Sequence, residues 1–262
     1  MKNNKITIIT VCFNAEKEIE CTLKSILEQT YTNYEYIVKD GYSSDCTNDI
    51  VNCYIEKMQM KGIRCIHKIN HDKGIYDAMN QALEYSMGNW VIFMNAGDTF
   101  YDEDVLNDVF ENKTYDGYKV IYGNTMCILH RGLKFVICNN HSQLVKGIGI
   151  SQQVCFLEAQ TIKERNFDLS CRVLSDYDYL LYLMKHNYKF KKVNSIIAKY
   201  NRNGISSREV KRCYEELILL ENKYNGFVKI KHISRVKVLI KDIFTKSFPL
   251  LSDILYCYKF CR

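Results

Sequence analysis

The chain opens with apolar runs alternating with stretches that are apolar on one helical face only. Ile6 to Phe13 is apolar almost throughout and predicts a strand. Ile19, Leu23, Ile26 and Leu27 then recur at helical spacing. They predict a helix running from a cap at Asn14 to about Gln29, with Glu16 and Glu18 in its first turn. Tyr34 to Lys39 predicts a second strand. Roughly Thr47 to Met60 predicts a helix that buries Ile50, Val51, Tyr54, Ile55 and Met58. Ile63 to Ile69 alternates as a third strand. From about Ile75 to Met87, Ala78, Met79, Ala82 and Leu83 share one helical face, opposite Asp77, Asn80 and Glu84. Trp90 to Met94 is a fourth apolar run, of the length of a strand buried on both faces. Strand and helix in strict alternation predict an α/β fold, with a mainly parallel sheet covered by helices on both faces.

Beyond Phe100 the pattern loosens. Asp102 to Glu111 reads as a short acidic helix, and Lys119 to Ile128 and Lys134 to Asn139 as strands. Asn140 to Ser151 reads as a mobile loop, Gln153 to Leu157 as a strand and Glu158 to Arg165 as a short helix. Ser175 and Asp178 have capping-box spacing, so a helix should start there and continue through Tyr179 to Met184. Tyr188 to Asn201 reads as one or two strands. Arg202-Asn203-Gly204 is a turn signal, and Ser206 with Glu209 predicts the cap of a helix ending near Gly226.

Three predicted strands end in acid and glycine: Asp40-Gly41, Asp72-Lys73-Gly74 and Asn95-Ala96-Gly97-Asp98. Ligands of open α/β sheets bind beyond the carboxyl ends of the strands. Asp98 is therefore a candidate to hold a divalent metal and, through it, the diphosphate of a nucleotide-sugar. The alternative is an acid that only polarises a turn. No G-x-G-x-x-G follows the first strand, where CFNAEKEI stands instead, which argues against a dinucleotide-binding dehydrogenase.

With 262 residues, the chain has room for one large domain with an appendage. No apolar stretch reaches the roughly 18 residues of a membrane span. The lysines before ITIITVCF mimic a short signal peptide, but no small-residue cleavage site follows, and a first strand is preferred. Twelve cysteines occur without a C-x-x-C pair, which argues against a zinc module and suits a reducing cytosol. Residues Phe227 to Arg262 hold eight Lys/Arg against two acids, so they carry the whole net charge of +6. There Ile230, Ile233, Val236, Ile240, Ile243 and Phe244 recur at helical spacing among basic residues. This suits an interfacial helix on anionic lipid, or equally a core-facing helix with a solvated basic face. No recognisable module supports nucleic-acid binding.

Four stretches in order carry a resemblance: residues 6–50, DKGIYDAMNQAL, WVIFMNAGDTF, and the pair FDLSCRVLSDYDYLLYL and NGISS. They resemble bacterial family 2 glycosyltransferases of the GT-A fold, particularly those of capsule, O-antigen and colanic-acid-type polysaccharide synthesis. The resemblance implies a GT-A domain over residues 1–207, with a nucleotide-sugar half (1–100) and an acceptor half (101–207), followed by a basic helical extension (208–262). It implies a cytoplasmic, inverting enzyme, peripheral at the inner membrane, moving a sugar from a UDP-sugar to a lipid-linked saccharide with Mn2+ or Mg2+.

Residue by residue, the resemblance implies that Phe13, Asn14 and Glu16 surround the nucleotide base. Asp40, followed by Gly41, would accept a hydrogen bond from a uracil-like edge. Lys73 and Gly74 would lie near the diphosphate and Asp77 near the donor sugar; the alternatives are a solvated loop lysine and a first-turn helix acid. Asn95 would meet the ribose and Asp98 the metal, with Gly97 standing where relatives carry a further acid. Asp176 matches the general base, with Ser175 replacing a Glu, while Gln152, Gln153 and Asp178 would line the acceptor side. As first-turn carboxylates, Asp176 and Asp178 could equally serve only the helix dipole. Two rival readings are a catalytically inert binding subunit of a polysaccharide assembly complex and a nucleotidyltransferase. The latter lacks its usual glycine- and lysine-rich phosphate loop here.

Overall fold

The computed structural model describes residues 4–128, 134–146, 150–201 and 209–228. Their strands are β1 (Ile6–Cys12), β2 (Tyr34–Asp40), β3 (Arg64–Ile69), β4 (Trp90–Phe93), β5 (Thr99–Phe100), β6 (Tyr118–Ile128), β7 (Lys134–Ile137), β8 (Cys155–Glu158) and β9 (Lys189–Asn201). Their α-helices are α1 (Ile19–Leu27), α2 (Thr47–Met60), α3 (Ile75–Leu83), α4 (Val105–Phe110), α5 (Ala159–Glu164), α6 (Ser175–Lys185) and α7 (Val210–Lys223). All nine strands form one sheet in the order β3-β2-β1-β4-β8-β6-β9-β5, with β7 paired to β6.

The alternation of the first hundred residues dictates this order. β1 pairs in parallel with β2 on one side and β4 on the other, and every β1 residue is buried. Crossovers between parallel strands are right-handed. The steps β1 to β2 and β2 to β3 run one way across the sheet, so α1 and α2 lie on the same face and pack together. The step from β3 to β4 runs the other way, which puts α3 on the opposite face, against β1 and β2. Ile19, Leu23 and Ile26 of α1 are fully buried. Each contributes roughly 1.5–3 kcal/mol relative to an exposed position.

Past β4 the sheet turns mixed: β8 is antiparallel to β4 and β6, while β9 runs parallel to β6. Leu220, Tyr224 and Val228, in and just beyond α7, join the same apolar core as the sheet.

Several boundaries differ from the sequence expectation. α1 starts at Ile19, not after Asn14, because Asn14 takes a left-handed conformation (φ 48°) that serves the neighbouring loop. α3 stops at Leu83. Gln152–Val154 is a 3-10 turn that feeds β8, and His141–Lys146 forms another, anchored by buried Leu144. The two-residue β5 had no sequence signal and exists only because β9 lies beside it. The proposed capping box is absent: Leu174 is the N-cap of α6 and no side chain caps it. The predicted turn at Arg202-Asn203-Gly204, the Ser206 cap, the NGISS stretch and the basic tail from Lys229 lie outside the described residues.

Candidate functional site

The loops that follow β1, β2 and β4 stand side by side. Cys12 is in register with Asp40, and the Met94 N–H donates to the Ile9 carbonyl. Since β2 and β4 flank β1, their ends are about 10 Å apart. Asp40 is fully buried; its carboxylate accepts the Ser43 N–H and the Ser43 hydroxyl, both at 2.6 Å, with the Cys12 thiol at 3.4 Å. Asn14 donates its N–H to Ser43 Oγ (2.7 Å) and accepts the Ser44 N–H (3.0 Å). Glu16 accepts the Cys46 N–H at 3.1 Å. Asn14 and Glu16 thus knit the first loop to the second. Phe13 and Tyr42 are 63% and 59% exposed, and Tyr42 stacks on His71 at 4.6 Å. Two open aromatic rings at these strand ends suit a planar ligand. Sequence reading missed Tyr42 and His71, although a tyrosine inside a Gly-Ser turn was a usable signal.

A buried lysine ties the second loop to the third. Lys39, 1% exposed, donates to the carbonyls of Asp40 (3.0 Å) and Asn70 (2.6 Å) and pairs with Asp72 at 2.8 Å. Asp72 in turn accepts the Gly74 N–H at 3.0 Å. Gly41 presses on this pair, since a Cβ there would come within 3.0 Å of Asp72. Lys39 and Asp72 were also missed, because a lysine in a strand reads as solvated until its neighbours are known. Lys73 is exposed. Asp77 accepts the Lys73 N–H (2.8 Å) and the Gln81 amide (3.0 Å) and so closes the first turn of α3.

The turn after β4 is braced from below by Thr22, a buried hydroxyl inside the apolar stripe of α1. Thr22 Oγ1 accepts the Gly97 N–H at 3.0 Å and donates to the Asp98 carbonyl at 2.7 Å. Gly97 adopts φ +94°, which a side chain would strain. The Asp98 carboxyl accepts the Gln153 amide at 3.1 Å. Burial pushes its pKa up to about 7, while Gln153 and the Asn95 N–H pull the other way. Beside it the side-chain oxygen of Asn95 is buried and has no partner among the described residues.

A desolvated carboxylate beside an orphaned amide oxygen offers two hard donors, and these fit a Mg2+- or Mn2+-type ion that completes its shell from phosphate and water. Among the described residues no cluster of three or more His, Cys, Asp or Glu could hold a metal alone. Gln153, expected on the acceptor side, thus touches Asp98, and Gln152 reaches Met79 Sδ at 3.3 Å.

Asp176 sits in the first turn of α6. The Tyr76 hydroxyl lies 2.7 Å from its carboxylate and 2.9 Å from the Val173 carbonyl. Tyr76 is the second residue of α3, which begins beyond the carboxyl end of β3, so Asp176 shares that edge of the sheet with Asp40 and Asp98. Burial raises its pKa above the ordinary carboxylate value, against the Tyr76 hydroxyl and the Tyr177 N–H.

Asp178, two residues on, corrects an expectation. It is fully buried and points away from the edge, bound by Arg165 (2.7 Å), Lys223 (3.0 Å) and the Tyr224 hydroxyl (2.8 Å). It does not cap α6 and has no exposed surface to offer an acceptor, because two cations hold it in the core.

Comparison with known proteins adds to this geometry. The family model described as "Glycosyl transferase family 2" matches residues 7–160, more than half of the chain. The chain is similar to the Escherichia coli UDP-Glc:alpha-D-GlcNAc-diphosphoundecaprenol beta-1,3-glucosyltransferase WfaP. The two are 27% identical over 225 residues, covering 83% of this chain and 84% of that protein. Its fold is similar to that of S. aureus TarS residues 1–349 in complex with UDP-GlcNAc, with TM-score 0.67 at 16% identity, covering 93% of this chain and 73% of that one. It is also similar to that of the Pyrobaculum calidifontis mannosyltransferase PcManGT in complex with GDP-Man and Mn2+, with TM-score 0.64 at 16% identity, covering 84% and 63%.

Proposed function

The chain belongs to glycosyl transferase family 2, a glycosyltransferase of the GT-A fold, and on that premise we propose that it moves a sugar from a UDP-sugar to a lipid-linked saccharide, inverting the anomeric centre, in cell-surface polysaccharide synthesis. The observation that carries this reading is the carboxyl edge itself: Asp98, half-buried and facing neutral donors alone among the described residues, shares that edge with Asp176, a second carboxyl of raised basicity. The substrates named for WfaP and the UDP-GlcNAc bound to TarS support the choice of donor and acceptor class. The Mn2+ bound in PcManGT supports a divalent metal.

Phe13 and Tyr42 offer aromatic surface to the base, with Asp40 beneath them and Asn14 and Glu16 holding the two loops in register. Gly41, Lys73, Gly74 and Asp77 border the diphosphate and donor sugar. Asp98, with Asn95, would hold the metal, which when bound neutralises charge on the departing nucleoside diphosphate. The acceptor hydroxyl oxygen bonds to the anomeric carbon as the bond to the diphosphate oxygen breaks, and its proton passes to the Asp176 carboxylate. Such base assistance contributes about a hundred- to ten-thousand-fold. The Tyr76 hydroxyl holds that carboxylate in place.

The site divides into a donor half, residues 1–100, and an acceptor half, 101–207, with Gln152 at their junction. Among the described residues no helix is long and apolar enough to cross a membrane. We place the protein at the cytoplasmic face of the inner membrane through its basic tail. Liposome flotation of the full chain against one ending at Gly226 tests that placement, and equal binding by both removes it.

The activity is tested by screening nucleotide-sugars for release of nucleoside diphosphate with a polyprenyl-diphosphate saccharide, alongside calorimetry of UDP with and without Mn2+. We expect release from a UDP-sugar and tighter UDP binding with Mn2+. UDP binding without turnover of any donor would favour the inert binding subunit.

A further inference from the structure

α7 lies beyond the family match and carries a carboxylate into the core. Glu216 is 5% exposed, and it accepts three consecutive backbone N–H groups, those of Arg172, Val173 and Leu174, each at 2.9 Å. A buried carboxylate is stable only with such donors, and bonds of this kind are among the strongest a neutral group makes. The constraint is mutual, because Glu216 fixes the backbone on which it sits. Leu174 is the N-cap of α6 and Asp176 is two residues further on. The same strand of chain is gripped from the other side by the Tyr76 hydroxyl, which lies against both the Val173 carbonyl and the Asp176 carboxylate. Further along, Lys223 and Tyr224 hold Asp178, so α7 grips the first turn of α6 at two points.

We propose that Glu216 is a positioning residue for the base: by tying residues 172–174 to α7 it sets where the Asp176 carboxylate stands at the head of α6. This rests on the reading of Asp176 as the base. It also makes α7 part of the working site, although every group it supplies acts through another residue. Among the described residues, the titratable groups around Asp176 are Tyr76 from α3, Cys155 from β8, and Cys213 and Glu216 from α7. Of these, Glu216 is the carboxylate, and its charge adds to the rise in Asp176's proton affinity. Loss of that charge therefore moves the acid limb of turnover to lower pH.

The test uses the full chain with Glu216→Gln, Glu216→Ala, Asp176→Asn and the double variant Asp176→Asn/Glu216→Gln. UDP binding is read by calorimetry, kcat and both KM values by nucleoside diphosphate release, and kcat again across pH. Misplacing a reacting group by about 1 Å costs up to about a hundredfold. We expect Glu216→Gln to lower kcat about tenfold or more, to leave UDP affinity and donor KM unchanged and to shift the acid limb downward. In the Asp176→Asn background the same change should add nothing.

A parental kcat in Glu216→Gln, or a full additive loss in the double variant, overturns the proposal. Should Glu216→Ala lose UDP binding through misfolding, the isosteric Glu216→Gln, which keeps an acceptor oxygen, decides. Asp176→Asn turning over at the parental rate rejects the base itself. Asp176→Asn slow with Glu216→Gln parental rejects Glu216 alone.

Discussion

The two ends of the sheet each hold a carboxylate, fully buried at one end and half-buried at the other, and they treat it in opposite ways. At the amino end, Glu35 of β2 is fully buried between Lys5 (2.9 Å) and Arg64 (2.8 Å), with the Thr7 hydroxyl at 2.7 Å and the N–H groups of Met87 and Gly88. Burial works against its charge, but the Met87 N–H, the Thr7 hydroxyl and Lys5 outweigh it and hold the carboxyl below its ordinary pKa. At the carboxyl end, Asp98 has the Gln153 amide and, among the described residues, no such cation, and its pKa rises to about 7. One charge is neutralised within the fold; the other has no cationic partner among the described residues, which is what the proposed metal site requires. The same contrast recurs along α6, between saturated Asp178 and Asp176 with its raised pKa.

The sharpest way to break the comparison is Asp98→Ala, which should abolish the metal dependence of UDP binding while leaving the fold intact. Titration calorimetry with and without Mn2+ reads this, and an unchanged Mn2+ effect would show that the ion sits elsewhere. At the other end, Glu35→Ala should cost roughly 2–4 kcal/mol of stability by stranding buried N–H groups, with kcat per folded molecule unaltered. Because the folded pKa of Glu35 is depressed, its contribution is present above the unfolded value and fades as pH falls through the folded one. Urea midpoints of the two proteins should therefore converge in acid.

Asp176→Asn should preserve UDP binding and reduce kcat by at least about a hundredfold. Since Asp176, the proposed base, is held above the ordinary carboxylate value, the acid limb of the parental kcat profile should lie above that range. The smallest effect expected is a gain. In the metal-free protein the ionised Asp98 carboxylate is a burden that is absent below about pH 4 and complete above about pH 7. Asp98→Asn should then raise Tm by roughly 2–8 °C at pH 8 and by nothing near pH 4. Equal shifts at both pH values would mean that Asp98 is not desolvated.

Much of this was legible in the chain. Apolar periodicity announced β1 to β4 and the helices between them, because a parallel sheet covered on both faces needs continuous apolar runs and one-sided helices. Asp40 and Asp98 were visible for a related reason: they stand where those runs stop, whereas Asp176, at the head of a helix, was marked by the family resemblance. Asp178 was misplaced because spacing alone cannot separate two first-turn carboxylates. Arg165 and Lys223, which decide between them, come from elements 13 and 45 residues away. Thr22 under the Asp98 turn, 76 residues distant, and Gln153 on its carboxylate, 55 distant, were hidden for the same reason.

Local pattern by itself determined that this chain makes an α/β sheet with acids at its carboxyl edge, since backbone periodicity and turn chemistry act over a few residues. Only the tertiary structure decided which acids are saturated by cations and which face neutral donors. That choice depends on dielectric surroundings and partners, which distant segments supply only once they have packed together.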